Sequence, residues 1–263
     1  MYRVQPKVFL IGQSHINHKE LDRYLDHIGA TEYEMDPVAT DLEILPEIYG
    51  RICYKSFQPG LNKNVTKIRE GNEEYLKNIL TSKHGAVLEH SMVNFVFTDV
   101  SRVFTHELVR HRIGVAISQE SLRYVRLNDL GLWLPSVIEK DEEAVKMFEN
   151  AFEYLGDLQI KLAEHFKLDS DEQLPFKIKK IITSAIRRVA PIGLATTIGW
   201  SANVRALRWI IELRTDPSAE EEIRLVFGQV GRMMKENFPN LFQDMEETIE
   251  DGLSCFKTVN KKV

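Results

Sequence analysis

The sequence predicts an α+β fold: an antiparallel sheet flanked by helices, with a helix-rich C-terminal half. Strand-like segments come early and helical ones late, an order typical of segregated α and β elements. The Met92-Val-Asn-Phe-Val-Phe-Thr-Asp-Val100 run has the β-branched and aromatic content that suits a pleated sheet. The alternation of strand and helix expected of a dinucleotide-binding βαβ unit is missing, and so is GxGxxG. A dinucleotide, if bound, is bound by another route.

Lys7 to Gln13 reads as a short buried strand, and His18 to Gly29 as a small helix ended by its glycine. Pro37, Pro46, Pro59 and Gly60 interrupt the next region, within which Ile44 to Phe57 holds a short helix. Asn72 to Leu80 is helical, with Tyr75, Leu76, Ile79 and Leu80 on one apolar face. Ser101 can cap a helix running through Arg112, with Phe104 and Leu108 on its buried side and Gly114 as a stop. Leu130 to Val137 is a strand cut by Pro135; helices follow over 140–167, 176–188 and 203–214. Asp216-Pro217 starts a last helix reaching Phe238, because Asp caps and proline suits the first turn. The lysine-rich end, 253–263, is expected to be a flexible tail.

At 263 residues the chain fits one large domain or two small ones; with no repeat or low-complexity linker, a single domain over 1–263 is expected. A net charge of −5 argues against a general nucleic-acid binder. Two cysteines, Cys53 and Cys255, without CxxC suggest a reducing compartment and no cysteine-type zinc site. There is no run of eighteen apolar residues and no secretory leader, so a cytoplasmic protein with no membrane partner is expected.

Local basicity is another matter: residues 100–126 hold five Arg against two Glu. Arg110-His111-Arg112 is followed by Ser118-Gln119-Glu120-Ser121 and Arg123-Tyr124. Charge-assisted bonds from a guanidinium to phosphate are worth about 1.5–3 kcal/mol each, and clustered arginines repel unless an anion lies among them. The stretch reads as a phosphate site. On a helix, Arg110 and Arg112 are rotated by about 200° from each other, so they would serve different ligands or subunits. His106 and His111 mimic a zinc helix, but five residues apart they diverge by about 140°, and no metal is expected.

These residues resemble the signature of the flavin-dependent thymidylate synthases: Arg-His-Arg, a spacer, then Ser and Arg-Tyr. The spacer here is one residue longer, and either Gln119 or Glu120 can take the place of the family's Glu. His84, Glu89 and His90 fall on the family's His-x-x-x-x-Glu-His element, and Arg51-Ile52-Cys53-Tyr54 on a segment that approaches the cofactor. A third block resembles the family's Arg-x-x-x-Pro, Asn-x-Arg and Leu-Arg-x-Asp series, through Arg187, Pro191, Asn203, Arg205, Arg214 and Asp216. Together the blocks span about residues 50–240. Departures are Ala86 for Thr, Glu107 for Gln, Trp209 for Asn and Ser218 for His.

The resemblance implies reductive methylation of dUMP, with methylenetetrahydrofolate as carbon donor and NADPH as reductant through FAD. It places dUMP against Glu107, Arg110, Gln119, Glu120, Ser121, Arg123, Arg187 and Arg214. It places FAD against Cys53, His84, Glu89, Arg110, His111, Arg112, Ser118, Asn203 and Arg205. Arg214 would stabilise charge developing on the pyrimidine, and Ser121 would orient the substrate without becoming a nucleophile, since the nearby sequence is rich in arginine rather than base. The implied assembly is a homotetramer with sites shared between chains. Two other classes fit the arginines: a nucleotide- or nucleic-acid-binding module without flavin, and a flavin reductase that never meets dUMP.

Overall fold

The computed structural model describes residues 1–123, 129–168 and 174–261. The N-terminal part runs β1 (Tyr2–Arg3), β2 (Lys7–Gln13), α1 (His18–Ile28), α2 (Asp41–Tyr54) and α3 (Asn72–Thr81). A 3-10 turn at Gly85–His90 leads to β3 (Met92–Ser101), α4 (Arg102–Leu108), β4 (Val115–Gln119) and β5 (Gly131–Leu132). Then come α5 (Ser136–Glu139), α6 (Glu142–His165), α7 (Phe176–Ile186) and a second 3-10 turn at Arg187–Val189. The chain closes with β6 (Ala195–Asn203), α8 (Val204–Arg214), α9 (Glu221–Asn237), β7 (Met245–Glu250) and β8 (Leu253–Thr258).

The main sheet has the order β2-β3-β6-β4. Its bonds run antiparallel. Ser14 N–H donates to Met92 O at 2.9 Å, Asn203 N–H to Gly114 O at 2.8 Å and Glu120 N–H to Thr197 O at 2.9 Å. Side chains follow the same register, Thr98 Oγ1 meeting Thr197 Oγ1 at 3.2 Å and Ser201 donating to Asn94 Oδ1 at 2.6 Å. A short parallel pair, β1 with β5, and an antiparallel hairpin, β7 with β8, complete the β structure.

The chain divides into two compact units. The first is Met1–Phe9, Val96–Arg110 and Ile117–Gly199; the second is Leu10–Phe95, His111–Ala116 and Trp200–Val263. The first packs Leu130, Leu132, Leu134, Phe152 and Leu194 into one cluster. The second buries Ile16, Leu21 and Leu25 against Ile44, Ile48 and Phe57.

Helix α2 shows how local chemistry makes the second unit. A capping box opens it: Thr40 and Glu43 satisfy each other's free groups. Pro46 sits inside the helix and cannot donate to the carbonyl of Leu42. That carbonyl accepts the Ser91 hydroxyl at 2.8 Å instead, so the proline is tolerated. Farther along, the buried Arg51 donates to Glu47 at 2.8 Å and to the carbonyls of Ser56 and Arg69, each at 2.7 Å.

Several sequence expectations are corrected. Strand β2 is an edge strand, with Phe9 and Ile11 exposed instead of buried. Helix α4 stops at Leu108, four residues short of Arg112, so Arg110 and Arg112 are not held at helical spacing and the argument from opposed faces fails. The following His111 is buried. Only Gly131–Leu132 of the expected 130–137 strand forms, because Pro135 caps α5. Helix α9 begins at Glu221, capped by Glu220; Asp216 instead accepts the Ser218 N–H and hydroxyl. The expected flexible tail is β8 over Leu253–Thr258, with Cys255 and Phe256 buried. The two-residue Asp251-Gly252 turn, both at positive φ, joins it to β7. The three-residue α2 extension before Ile44 and the strands β1, β4, β6 and β7 were not foreseen.

Candidate active site

The first unit contains a cleft of about 460 Å³ lined by Arg102, Gln119, Glu120, Ser121, Leu122, Arg187, Arg188 and Ala190. Three elements make it. The end of β4 delivers Gln119, Glu120 and Ser121; the turn after α7 delivers Arg187 and Arg188; the first residue of α4 is Arg102.

Four of the wall residues have described hydrogen bonds. Gln119 Nε2 donates to Thr105 Oγ1 at 3.1 Å. Glu120 accepts the Thr197 N–H at 3.3 Å on its carboxylate, while its carbonyl accepts an Arg102 terminal nitrogen at 3.2 Å. Ser121 Oγ accepts the Arg123 N–H at 3.3 Å, and Arg123 Nε donates to Ser184 Oγ at 3.3 Å.

The cleft is cationic: three guanidiniums against one carboxylate among the described lining residues. Burial holds the Arg102 guanidinium below its ordinary pKa range; Glu120 opposes that shift and the neighbouring Arg187 adds to it. Arg102 Nε is buried without a hydrogen-bond partner among the described residues. A buried donor in this state costs about 1–3 kcal/mol, and an anionic oxygen would satisfy it while relieving the arginine repulsion. The cleft has the chemistry of a phosphomonoester site.

Of the residues assigned to dUMP, the cleft gathers Gln119, Glu120, Ser121 and Arg187. Glu107 and Arg110 are not among its lining residues; Arg110 is exposed in the turn after α4, its N–H on the Glu107 carbonyl at 3.3 Å. Arg214 belongs to the second unit. Tyr124, the end of the signature, lies outside the described residues. Arg102 and Arg188 were not assigned from the sequence. Arg102 carried a readable signal: a cation on the first turn of a helix opposes the macrodipole, a placement that needs another reason.

The second unit gathers most residues assigned to FAD. Tyr49 stacks on His90 with centroids 3.6 Å apart and planes 5° apart, and Tyr54 stacks on His84 at 5.7 Å and 18°. Glu89 accepts Arg205 at 2.6 Å in an exposed ion pair. Asn203 caps α8 by accepting the Ala206 N–H at 2.8 Å. His111 Nε2 accepts Arg214 Nε at 2.7 Å, and Trp209 packs edge-on against the His111 ring. In that bond His111 Nε2 is the acceptor, since Arg Nε–H can only donate. Cys53 and Arg112 are exposed. Ser118 and Arg110 fall in the first unit.

A dinucleotide needs flat apolar surfaces for its rings and cations for its pyrophosphate. The second unit supplies both, in the half-exposed Tyr49 and Tyr54 rings and the Arg112 and Arg205 guanidiniums. Trp209 is 57% exposed, a further flat surface where the family has Asn. The residues present fit FAD.

Among the described residues, no helix is long and apolar enough to cross a membrane. Comparison with known proteins identifies the family. The family model of the thymidylate synthase complementing protein matches residues 39–240. A flavin-dependent thymidylate synthase of Mycolicibacterium gilvum is 34% identical over 240 residues, covering 86% of this chain and 91% of that one. The enzyme of the same name from Mycobacteroides abscessus is 32% identical over 231 residues, covering 86% and 89%. The solved UMP/dUMP methylase PolB from Streptomyces cacaoi, bound with 5-Br dUMP, shares the fold at a TM-score of 0.64 and 17% identity, covering 92% of this chain and 96% of that one. The chain belongs to the thymidylate synthase complementing protein family, the family of the flavin-dependent thymidylate synthases.

Proposed function

We propose that this protein converts dUMP to dTMP by reductive methylation, taking the carbon from methylenetetrahydrofolate and reducing equivalents from NADPH through FAD. The observation that carries the substrate half is the buried Arg102 Nε, without a partner among the described residues, in a cleft shared with Arg187 and Arg188. These three guanidiniums take the dUMP phosphate. Gln119, Glu120 and Ser121 line the same cleft and orient the nucleotide; Glu107, Arg110 and Arg123 remain assigned to dUMP on the family resemblance.

His84, Glu89, His111, Arg112, Asn203 and Arg205 hold FAD, with Cys53, Ser118 and Arg110 as further contacts on the same resemblance. The cofactor, when bound, supplies the reducing hydride. The protein's own part is binding, orientation and charge. Arg214, held through Nε by His111, is the proposed donor to the enolate-like oxygen that develops on the pyrimidine. The reading includes a cytoplasmic homotetramer with sites shared between chains.

The test begins with the visible absorption spectrum after FAD addition and gel filtration. A retained flavin band that dUMP perturbs, followed by dUMP-dependent dTMP formation, is the expected outcome. No retained flavin, with anion binding that falls steeply with salt, would replace the reading with a phosphate-binding module. Flavin reduction by NADPH without dTMP would leave a flavin reductase.

A further inference from the structure

A second cluster of ligating side chains uses none of the motif residues of the sequence. His15, His18 and Asp41 bring three donor atoms within 4.8 Å of one another, the one such group of three or more His, Cys, Asp or Glu among the described residues. His15 and His18 precede the 39–240 stretch that the family model matches. Nothing in the proposed reaction uses them.

The geometry is that of a carboxylate bracketed by two imidazoles. His15 Nδ1 faces Asp41 Oδ2, and His18 Nε2 faces Asp41 Oδ1 at 3.3 Å. The two rings stand 5.8 Å apart and nearly perpendicular, at 73°. Backbone structure fixes all three positions. Asn17 caps α1 by accepting the Glu20 N–H, which sets His18 as the first helical residue, with His15 three residues before it. Asp41 is the first residue of α2, and its Oδ2 also accepts the Ile16 N–H at 3.0 Å. Buried Ile16 anchors this loop in the core of the second unit, against Ile44 and Ile48 of α2.

We propose that His15, His18 and Asp41 form a site for a divalent transition-metal ion of the zinc class. Donors bound to one such ion at about 2.0–2.2 Å lie a little over 3 Å apart, a spacing that the three atoms, all within 4.8 Å of one another, approach. Two imidazole nitrogens with one carboxylate select zinc or cobalt over magnesium or calcium, which prefer all-oxygen shells. The Ile16 N–H on the same carboxylate is the outer contact that orients such a ligand. The ion ties the start of α1 to the start of α2. Without an ion the same contacts serve as plain histidine–carboxylate pairs, and that is the competing account.

The measurement is a Co2+ titration of the untagged, chelator-treated full-length protein, read by visible absorption, with Zn2+ binding followed by calorimetry. One ion per chain is expected, with His15→Ala and His18→Ala each weakening Zn2+ by about tenfold or more. His15 and His18 are 79% and 49% exposed, so neither exchange disturbs the core. Asp41→Asn keeps an acceptor for the Ile16 N–H and should weaken binding equally; His27→Ala should not. No saturable binding, or Zn2+ affinity unchanged in the doubly substituted His15→Ala, His18→Ala protein, would overturn the proposal. Dependence of either result on FAD or dUMP is not expected, so this site stands or falls apart from the catalytic reading.

Discussion

Ser121 shows how much a single residue's neighbours decide. A serine becomes a nucleophile when a base takes its proton. The described cleft lining holds three guanidiniums, which have no lone pair to offer, no histidine, and one carboxylate, Glu120, whose Oε2 accepts the Thr197 N–H. Ser121 Oγ accepts the Arg123 N–H, the bond of an orienting hydroxyl. Ser121→Ala should therefore keep forming dTMP, with kcat/KM lower by about two- to tenfold, the worth of one neutral hydrogen bond of about 0.5–1.5 kcal/mol. Complete loss of turnover with dUMP binding intact would give the serine a covalent role. The sequence made Gln119, Glu120, Ser121 and Arg187 legible through their spacing. Arg102 and Arg188 were not, because a cleft is assembled from residues distant in the chain, and spacing within one motif carries no record of what folds against it.

Between the residue and the whole lie the elements, where Gly114 gives the clearest test. Its φ is +71°, and a Cβ there would meet Asn203 Nδ2 at 2.4 Å and Ala206 Cβ at 3.1 Å. Asn203 is the cap of α8, and its own N–H donates to the Gly114 carbonyl at 2.8 Å. Gly114→Ala thus combines a left-handed conformation costing about 1–2 kcal/mol with damage to a cap worth about 1 kcal/mol. A loss of about 2–3 kcal/mol in denaturant unfolding is expected, with weaker FAD retention because Asn203 and Arg205 begin the same helix. Unchanged stability would mean that the turn is free to rearrange. Gly114 was read as a helix stop; the helix had already ended at Leu108, and the glycine serves the turn into β4. Helices α1, α6 and α8 were legible because side-chain caps and apolar spacing agree in them, and α3 through its apolar face alone. Strand β6 was not: its buried positions Thr196, Ile198, Trp200 and Ala202 alternate in burial but not in polarity. The C-terminal hairpin hid behind its lysines, although Asp251-Gly252 is a strong two-residue turn signal.

At the scale of the whole molecule, the question is what covers the long helices. Helix α6 has 24 residues, of which Phe152 is the one buried among the described. Met147, Phe148, Tyr154 and Ile160 on it are exposed, and so are Phe176, Ile178 and Ile181 on α7. Single exposed apolar residues are ordinary, but this many on two helices of one unit is what the proposed assembly would cover. The opposed-arginine argument for shared sites fell with the early end of α4, so the tetramer now rests on the family resemblance and on these faces. Light scattering of the untagged protein should give the mass of four chains, unchanged on dilution through the micromolar range. Ile181 is 56% exposed and outside the cleft lining, so Ile181→Glu should fold normally yet lower that mass if α7 is in the interface. A wild-type protein that scatters as a single chain, while still turning over dUMP, would show that each chain completes its own site.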